Sequence, residues 1–341
     1  MNHEIQDRKP LHNERGLISE PGYSRELLLD YDRSRIQSSR LRIKEWDFYL
    51  VGNERYALAF VVADNGYMGL GSVTFFDFEQ SRKHSCDKFT LFPLGNLGLP
   101  SQSREGRTCF RSKKLEIEIV AEPEKKLVRI KAPNFIKGEP LEADIVLGSL
   151  PRDSIVIATP YKKGKAFYYN QKVNCMQATG RFCIGSREFD LNGDLGVLDW
   201  GRGVWSYNNT WYWSSLSTWL PDGSTFGFNL GYGFGDTSAA SENMLFYNGV
   251  AHKLDQVDFG LPERDGQDDF LSTWSFSSNE DRLNLKFHPV FDSHTRINLM
   301  LIGQNAHQVF GHFSGEAILD DGKRIQLENA FGFAEKVHNR W

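Results

Sequence analysis

This sequence has no basic excess, no long apolar run and no helical periodicity, and each absence removes a class of protein. Forty Lys and Arg stand against 44 Asp and Glu, for a formal charge of -4. Phosphate contacts need a basic footprint, so nucleic acid is not an expected partner. Cysteine is sparse: Cys86, Cys109, Cys175 and Cys183, with no C-x-x-C pair for zinc or redox work. If Cys175 and Cys183 share one strand, about 26 Å separates them at ~3.3 Å per residue, too far for a disulfide. The four are read as reduced thiols of a cytoplasmic protein. Met1 to Gly16 is polar and shows no apolar signal-peptide core. The stretch Gly203 to Pro221 carries no charge and is long enough to resemble a membrane span. Ser206, Asn208, Asn209, Ser214, Ser215, Ser217 and Thr218 make it too polar for hydrocarbon, so no transmembrane segment is expected. The nine histidines form no H-x-H or H-E-x-x-H, and no metal site is expected. Gly231 to Gly235 opens no βαβ unit, and neither a Walker motif nor a G-x-S-x-G elbow occurs, so no cofactor is expected.

What the chain has is aromatics at 13%, 31 Gly and 8 Trp. Alternation with a period of two dominates from residue 41 onward. Tyr56, Leu58, Phe60 and Val62 share one face, as do Leu115, Ile117 and Ile119, then Leu283, Leu285 and Phe287, then Ile297, Leu299 and Leu301. Asp64-Asn65-Gly66, Asn192-Gly193, Pro221-Asp222-Gly223, Asn248-Gly249 and Asp320-Asp321-Gly322 punctuate these runs as turns. With no crossover helix, a parallel sheet is excluded. At 341 residues the chain exceeds one ordinary core. The expectation is an all-β protein of two tandem antiparallel β-barrels: an irregular arm over 1–40 docked on the body, a first barrel over 41–190 and a second over 191–341. Trp46 precedes Tyr67 by the same 21 residues as Trp211 precedes Tyr232, and Gly66 and Gly231 sit just before the tyrosines, a faint sign of duplication.

Three places concentrate chemistry. Phe226, Phe228, Leu230, Tyr232 and Phe234 alternate with Gly227, Asn229, Gly231, Gly233 and Gly235. The rings either fill a core or line an apolar cavity, and the glycines permit coiling or close backbone approach. Asp199-Trp200-Gly201-Arg202-Gly203-Val204-Trp205 is followed by Trp211-Tyr212-Trp213, whose two tryptophans share a strand face. Asp199 is either an acid desolvated among rings or the partner of Arg202 in an ion pair joining two sheets. Asp236 and Glu242 either sit at a cavity mouth or cap a turn. Glu45 and Asp47 lie on one face of a strand, opposite Lys44 and Trp46, sharing a site or merely solvated. The catalytic candidates are therefore Asp199, Arg202 and Glu242. The ligand-binding candidates are Trp46, Tyr67, Trp205, Trp211, Trp213, Phe228 and Tyr232.

Lys44-Glu45-Trp46-Asp47-Phe48-Tyr49, Ala63-Asp64-x-Gly66-Tyr67-x-Gly69, Leu198-Asp199-Trp200-Gly201-Arg202-Gly203-Val204-Trp205, Gly227-Phe228-Asn229-Leu230-Gly231, Phe310-Gly311-x-Phe313-Ser314-Gly315 and the terminal Asn339-Arg340-Trp341 resemble the family called domain of unknown function 2804. More distantly, Asp199, Trp211-Tyr212-Trp213 and Asp222-Gly223 are similar in order to carotenoid 1,2-hydratase-like proteins. That resemblance implies two tandem lipocalin-like barrels and a small apolar partner. It also implies a hydratase, isomerase or cyclase acting on a terpenoid- or lipid-like molecule, with Asp199 protonating a double bond. Arg202 and the two glycines depart from that pattern, which is bulkier and more acidic after the Asp. A non-catalytic lipid or isoprenoid binder needs the cavity without the acid. A carbohydrate-active enzyme would use paired carboxylates from Glu45, Asp47, Asp199 and Glu242. Nothing in the pattern fixes the oligomeric state.

Overall fold

A computed structural model describes residues 2–340 apart from Lys163, Met300 and Leu301. The alternation expected to run through Met300 and Leu301 and the motif residue Trp341 thus lie outside the described residues. Alternation becomes strand nearly everywhere else, and the chain builds two large sheets.

In the first sheet, Ile43–Gly52, Tyr56–Asp64, Met68–Asp77 and Arg82–Leu91 form a meander. Gly106–Ser112, Leu115–Glu122, Lys125–Ile136 and Glu139–Gly148 form another, continued by Phe167–Ile184 and Leu195–Val204. The last strand returns to pair antiparallel with the first, Leu195–Val204 against Ile43–Gly52. The sheet then curls until its two free ends face each other: a Cβ placed on Gly71 would lie 2.3 Å from the Phe110 ring. The second sheet repeats the plan. Asn208–Trp219, Thr225–Tyr232, Met244–Tyr247 and Val250–Lys253 meander, and Trp274–Ser278, Leu283–Leu299, Ile302–Ile318 and Arg324–Arg340 follow. Arg324–Arg340 closes back on Asn208–Trp219. Trp46 and Trp211 therefore occupy the opening strands of two similar, nearly closed barrels.

One boundary differs from the expectation. Residues beyond 190 were assigned to the second barrel, but Leu195–Val204 sits inside the first sheet, between Ile43–Gly52 and Phe167–Ile184. The chain changes sheet between Val204 and Asn208. The Asn192-Gly193 turn interrupts one strand path, since Arg187–Asp190 before it and Leu195–Val204 after it both pair antiparallel with Phe167–Ile184, and a turn alone does not say which sheet comes next.

Each barrel has its own core. Ile117, Val128, Ile145, Tyr169 and Trp200 pack inside the first, and Phe226, Phe228, Phe276, Phe287 and Phe313 inside the second. The aromatic strand is thus core filling on its ring face: Phe228 is fully buried, 5.2 Å from Phe313. Burial of such a ring contributes roughly 1.5–3 kcal/mol. Its glycine face meets the first barrel. A Cβ on Gly227 would lie 2.7 Å from Cys175 Sγ, and one on Gly231 would lie 2.4 Å from Glu242 Oε1. All four cysteines are free thiols. Residues 2–40 contribute Leu11, Ile18, Leu29 and Tyr31 to the first core, and Gly22–Ser24 adds a short strand beside Ile155–Pro160. A third cluster, with Tyr168, Trp205, Trp213, Phe234, Phe310 and Phe333, fills the seam where the barrels meet. Among the described residues no helix is long and apolar enough to cross a membrane.

Candidate active site

Strand alternation sends consecutive residues of Leu195–Val204 to opposite faces. Asp199, Gly201 and Gly203 face the seam; Trp200 and Arg202 face the first core. This separation decides the question left by the sequence: Asp199 and Arg202 do not pair. Arg202 is fully buried and donates from Nη2 to Asp47 Oδ1 at 3.0 Å and to the Pro100 carbonyl at 2.7 Å. Its Nη1 reaches the Trp46 and Gly201 carbonyls, and its guanidinium lies 4.1 Å over the Trp200 ring. Glu45, on the same inner face, accepts from Tyr31 at 2.7 Å and Arg33 at 2.5 Å. Glu45 and Asp47 are therefore buried rather than solvated and paired with Arg33 and Arg202 inside the first barrel, where the Arg202 charge also acts on Glu45.

Asp199 pairs instead with Lys172, Nζ to Oδ2 at 2.7 Å. Its Oδ1 accepts from Asn170 at 2.6 Å and from the Trp46 indole at 3.0 Å. The two glycines after it have a geometric reason. A Cβ on Gly201 would fall 2.0 Å from Trp46 Cζ2, and one on Gly203 would fall 2.9 Å from Trp205 Nε1. The missing side chains are the beds on which the Trp46 and Trp205 rings lie.

Around this pair stands a cage of rings. Trp205 is edge-on to Trp46 at 5.7 Å, to Tyr168 at 5.5 Å and to Trp211 at 5.0 Å, while Phe234 stacks on Tyr168 at 4.8 Å. Lys172 Nζ sits 3.8 Å over the Trp213 ring, a cation–π contact. Two further carboxyls enter. Glu242 is buried and accepts from Tyr168 Oη at 3.2 Å. Its Oε1 has no hydrogen-bond partner among the described residues, nor has Asn170 Oδ1. Burial pushes the Glu242 carboxyl up, and the Asp199 charge adds to this; Lys172 opposes both. Glu335 accepts from the Trp211 indole at 3.0 Å. Packing around it raises its carboxyl to about 7, although the side chain keeps some exposure. Three carboxyls thus share one lysine.

The structure brings together Asp199, Glu242, Trp46, Trp205, Trp211 and Trp213. It places Arg202 on the opposite face, and Phe228 and Tyr232 on the second-barrel side, where Tyr232 stacks on Tyr212 at 4.6 Å. Tyr67 lies under Lys44 Nζ at 4.1 Å, one rung along the strand face that carries Trp46. Of the two acids in the 236–243 loop, Asp236 is the turn former, accepting from the Ser238 amide, while Glu242 enters the cage. Sequence reasoning missed Tyr168, Asn170, Lys172 and Glu335. The available signal was in Phe167–Ile184: Tyr168, Asn170 and Lys172 put polar atoms on one face of a strand buried through its first ten residues.

Comparison with protein families places this geometry. The model of the family described as Domain of unknown function (DUF2804) matches residues 2–341. The chain belongs to the DUF2804 family. Solved structures share its fold. A Nitrosomonas europaea protein provisionally called ATTH aligns with a TM-score of 0.53 at 11% identity, over 90% of this DUF2804 chain and 96% of that one. CghA aligns with a TM-score of 0.51 at 9% identity, over 96% and 97%. Kievitone hydratase from Nectria haematococca aligns with a TM-score of 0.50 at 10% identity, over 87% and 88%. At such identities these neighbours show the fold alone, and they support the two tandem barrels. No curated protein matches the sequence.

Proposed function

We propose that the seam between the barrels is an acid–base site for an apolar, unsaturated molecule of terpenoid or lipid type, which is hydrated, isomerised or cyclised there. The observation that carries this reading is the charge imbalance of the cage: Asp199, Glu242 and Glu335 stand around one ion-paired lysine, Lys172, while Lys253, which also acts on Glu242, is itself drawn down to about 7 by burial, and the carboxyls of both glutamates are pushed up. A carboxyl held neutral among rings is a proton donor suited to a poor base such as an alkene. The family resemblance gave that role to Asp199. The hydrogen bonds favour Glu242, because both Asp199 oxygens are already engaged by Lys172, Asn170 and Trp46, whereas Glu242 Oε1 has no partner among the described residues.

In this scheme Glu242 delivers its proton to one alkene carbon, and the faces of Trp46, Trp205, Trp211 and Phe234 stabilise the positive charge left on the other. Water then adds to that carbon and sheds a proton, or a neighbouring C–H bond is lost instead. Asp199 and Lys172 fix the cage electrostatically. Glu335, partly exposed, exchanges the proton with solvent. A ligand hydroxyl would satisfy Asn170 Oδ1, which fits a substrate with one polar group on an apolar body.

The test begins with native mass spectrometry of freshly purified protein and organic extraction of what it carries. Recovery of a stoichiometric isoprenoid or lipid, turned over by the wild type and still bound but unchanged by Glu242→Gln, is the expected result. A ligand that neither variant converts would make the protein a carrier. Exclusive retention of glycans would replace the apolar reading with a carbohydrate one.

A further inference from the structure

At one end of the first barrel, away from the cage, a cavity of about 330 Å³ lies beneath the N-terminal arm and the 149–154 loop. Its charged lining is one-sided: five cationic side chains against Glu26 and Glu124. Three of the cations are already committed. Arg8 holds Asp30 at 2.7 Å, Arg25 holds Glu4 at 3.0 Å, and Arg152 holds Asp153 at 3.0 Å. The other two, Lys126 and Arg104, form no ion pair among the described residues.

Lys126 is the unusual one. Alternation along Lys125–Ile136 turns it inward with Val128 and Ile130, and it is 3% exposed. Its ammonium donates to the Ser103 carbonyl at 2.7 Å and the Arg104 carbonyl at 3.1 Å, which leaves one of its three N–H groups. A buried charge is normally met by an opposite one in an ion pair; Lys126 has carbonyl contacts and only the more distant charges of Asp47 and Glu105, which its burial and Arg104 outweigh. Burial accordingly draws this lysine down to about 8. Glu26 and Glu124 are exposed, so solvent and salt screen them from the cavity, while Lys126 is screened much less. Gln171, also in the lining, has both ends of its amide engaged: it accepts from Ser103 Oγ and donates to Ser154 Oγ at 2.8 Å. The remaining wall includes Leu27, Leu150 and Val173.

We propose that this cavity binds a small organic anion, its carboxylate or phosphate held by Lys126 and Arg104 and its apolar part lying against Leu27, Leu150 and Val173. The site is independent of the acid–base cage: it lies inside the first barrel rather than in the seam, and none of its residues belongs to the cage. The structural alternative, in which Lys126 only clamps the 103–104 loop, predicts no anion binding and no role for the exposed Arg104.

Calorimetry on the full chain with octanoate and with inorganic phosphate, against sodium chloride at equal ionic strength, separates these. The expected result is saturable binding of at least one anion, weakened about tenfold or more by Arg104→Glu and by Lys126→Met, the loss of a charged hydrogen bond. Octanoate alone would identify a carboxylate ligand and phosphate alone a phosphate ester. If neither binds, if sodium chloride gives the same heat, or if Arg104→Glu leaves the affinity unchanged, the proposal falls. Arg104→Glu suffices for this decision if Lys126→Met fails to fold, because Arg104 is exposed.

Discussion

Two groups of buried charges lie back to back on the strands Ile43–Gly52 and Leu195–Val204, and they are built on opposite principles. Inside the first barrel, Glu45 and Asp47 meet Arg33 and Arg202, acid for base. In the seam three carboxyls, Asp199, Glu242 and Glu335, have one ion pair among the described residues, Asp199 with Lys172, and Lys253 adds its charge at Glu242. Balanced ion pairs position a backbone. An unbalanced group keeps a proton that ordinary carboxyls would lose, and a retained proton is chemically useful. Neighbouring residues of one strand can therefore carry structure on one side and chemistry on the other.

The comparison is most sharply broken by removing Arg202. Arg202→Met leaves Asp47 buried beside Thr108 without its ion-pair partner, and we expect a loss of about 3–5 kcal/mol in chemical denaturation. Adding Asp47→Asn to that variant should recover much of the loss. The opposite behaviour is expected across the strand. Glu242→Gln should leave stability close to wild type, since a neutral amide replaces a carboxyl that burial keeps from ionising, yet lower turnover of the identified substrate by roughly 10²–10⁴-fold. If Glu242→Gln unfolds the protein as Arg202→Met does, the two groups are alike and the distinction fails.

A smaller effect sharpens the geometry between them. Gly201→Ala drives a methyl into Trp46, and we expect about 1–3 kcal/mol of destabilisation together with a changed tryptophan fluorescence, because the Trp46 indole must leave Asp199. The smallest effect concerns pH. The folded Glu335 carboxyl stands at about 7, above the ordinary 4.5 of the unfolded chain. Its contribution to stability is fully present below 4.5 and is lost as pH rises through about 7. Melting temperatures between pH 4 and 8 should therefore fall more for the wild type than for Glu335→Gln. Equal slopes would mean that the cage does not hold its excess protons.

The cage was partly legible in advance. Asp199 and the tryptophans stood out because Trp is costly to place and clusters where a large ring is needed, and strand alternation correctly put Trp211 and Trp213 on one face. Arg202 misled because three residues of separation is close in sequence but opposite in a strand. Lys172 and Glu335 were invisible. They are single charges in long strands, distant in sequence from Asp199, and only the packing of one barrel on the other brings them to it.

Local pattern by itself determined that this chain is β throughout, that it meanders between glycine and asparagine turns, and that it is large enough for two cores. Period-two alternation and turn chemistry act over a few residues, so the chain order is enough to read them. Only the tertiary structure decided where one barrel ends, which face of Leu195–Val204 each residue takes, and which charges lack a partner. Those depend on the return of Leu195–Val204 to Ile43–Gly52 and on the seam between the sheets, and such long-range burial sets the balance of charge that no neighbouring residue reveals.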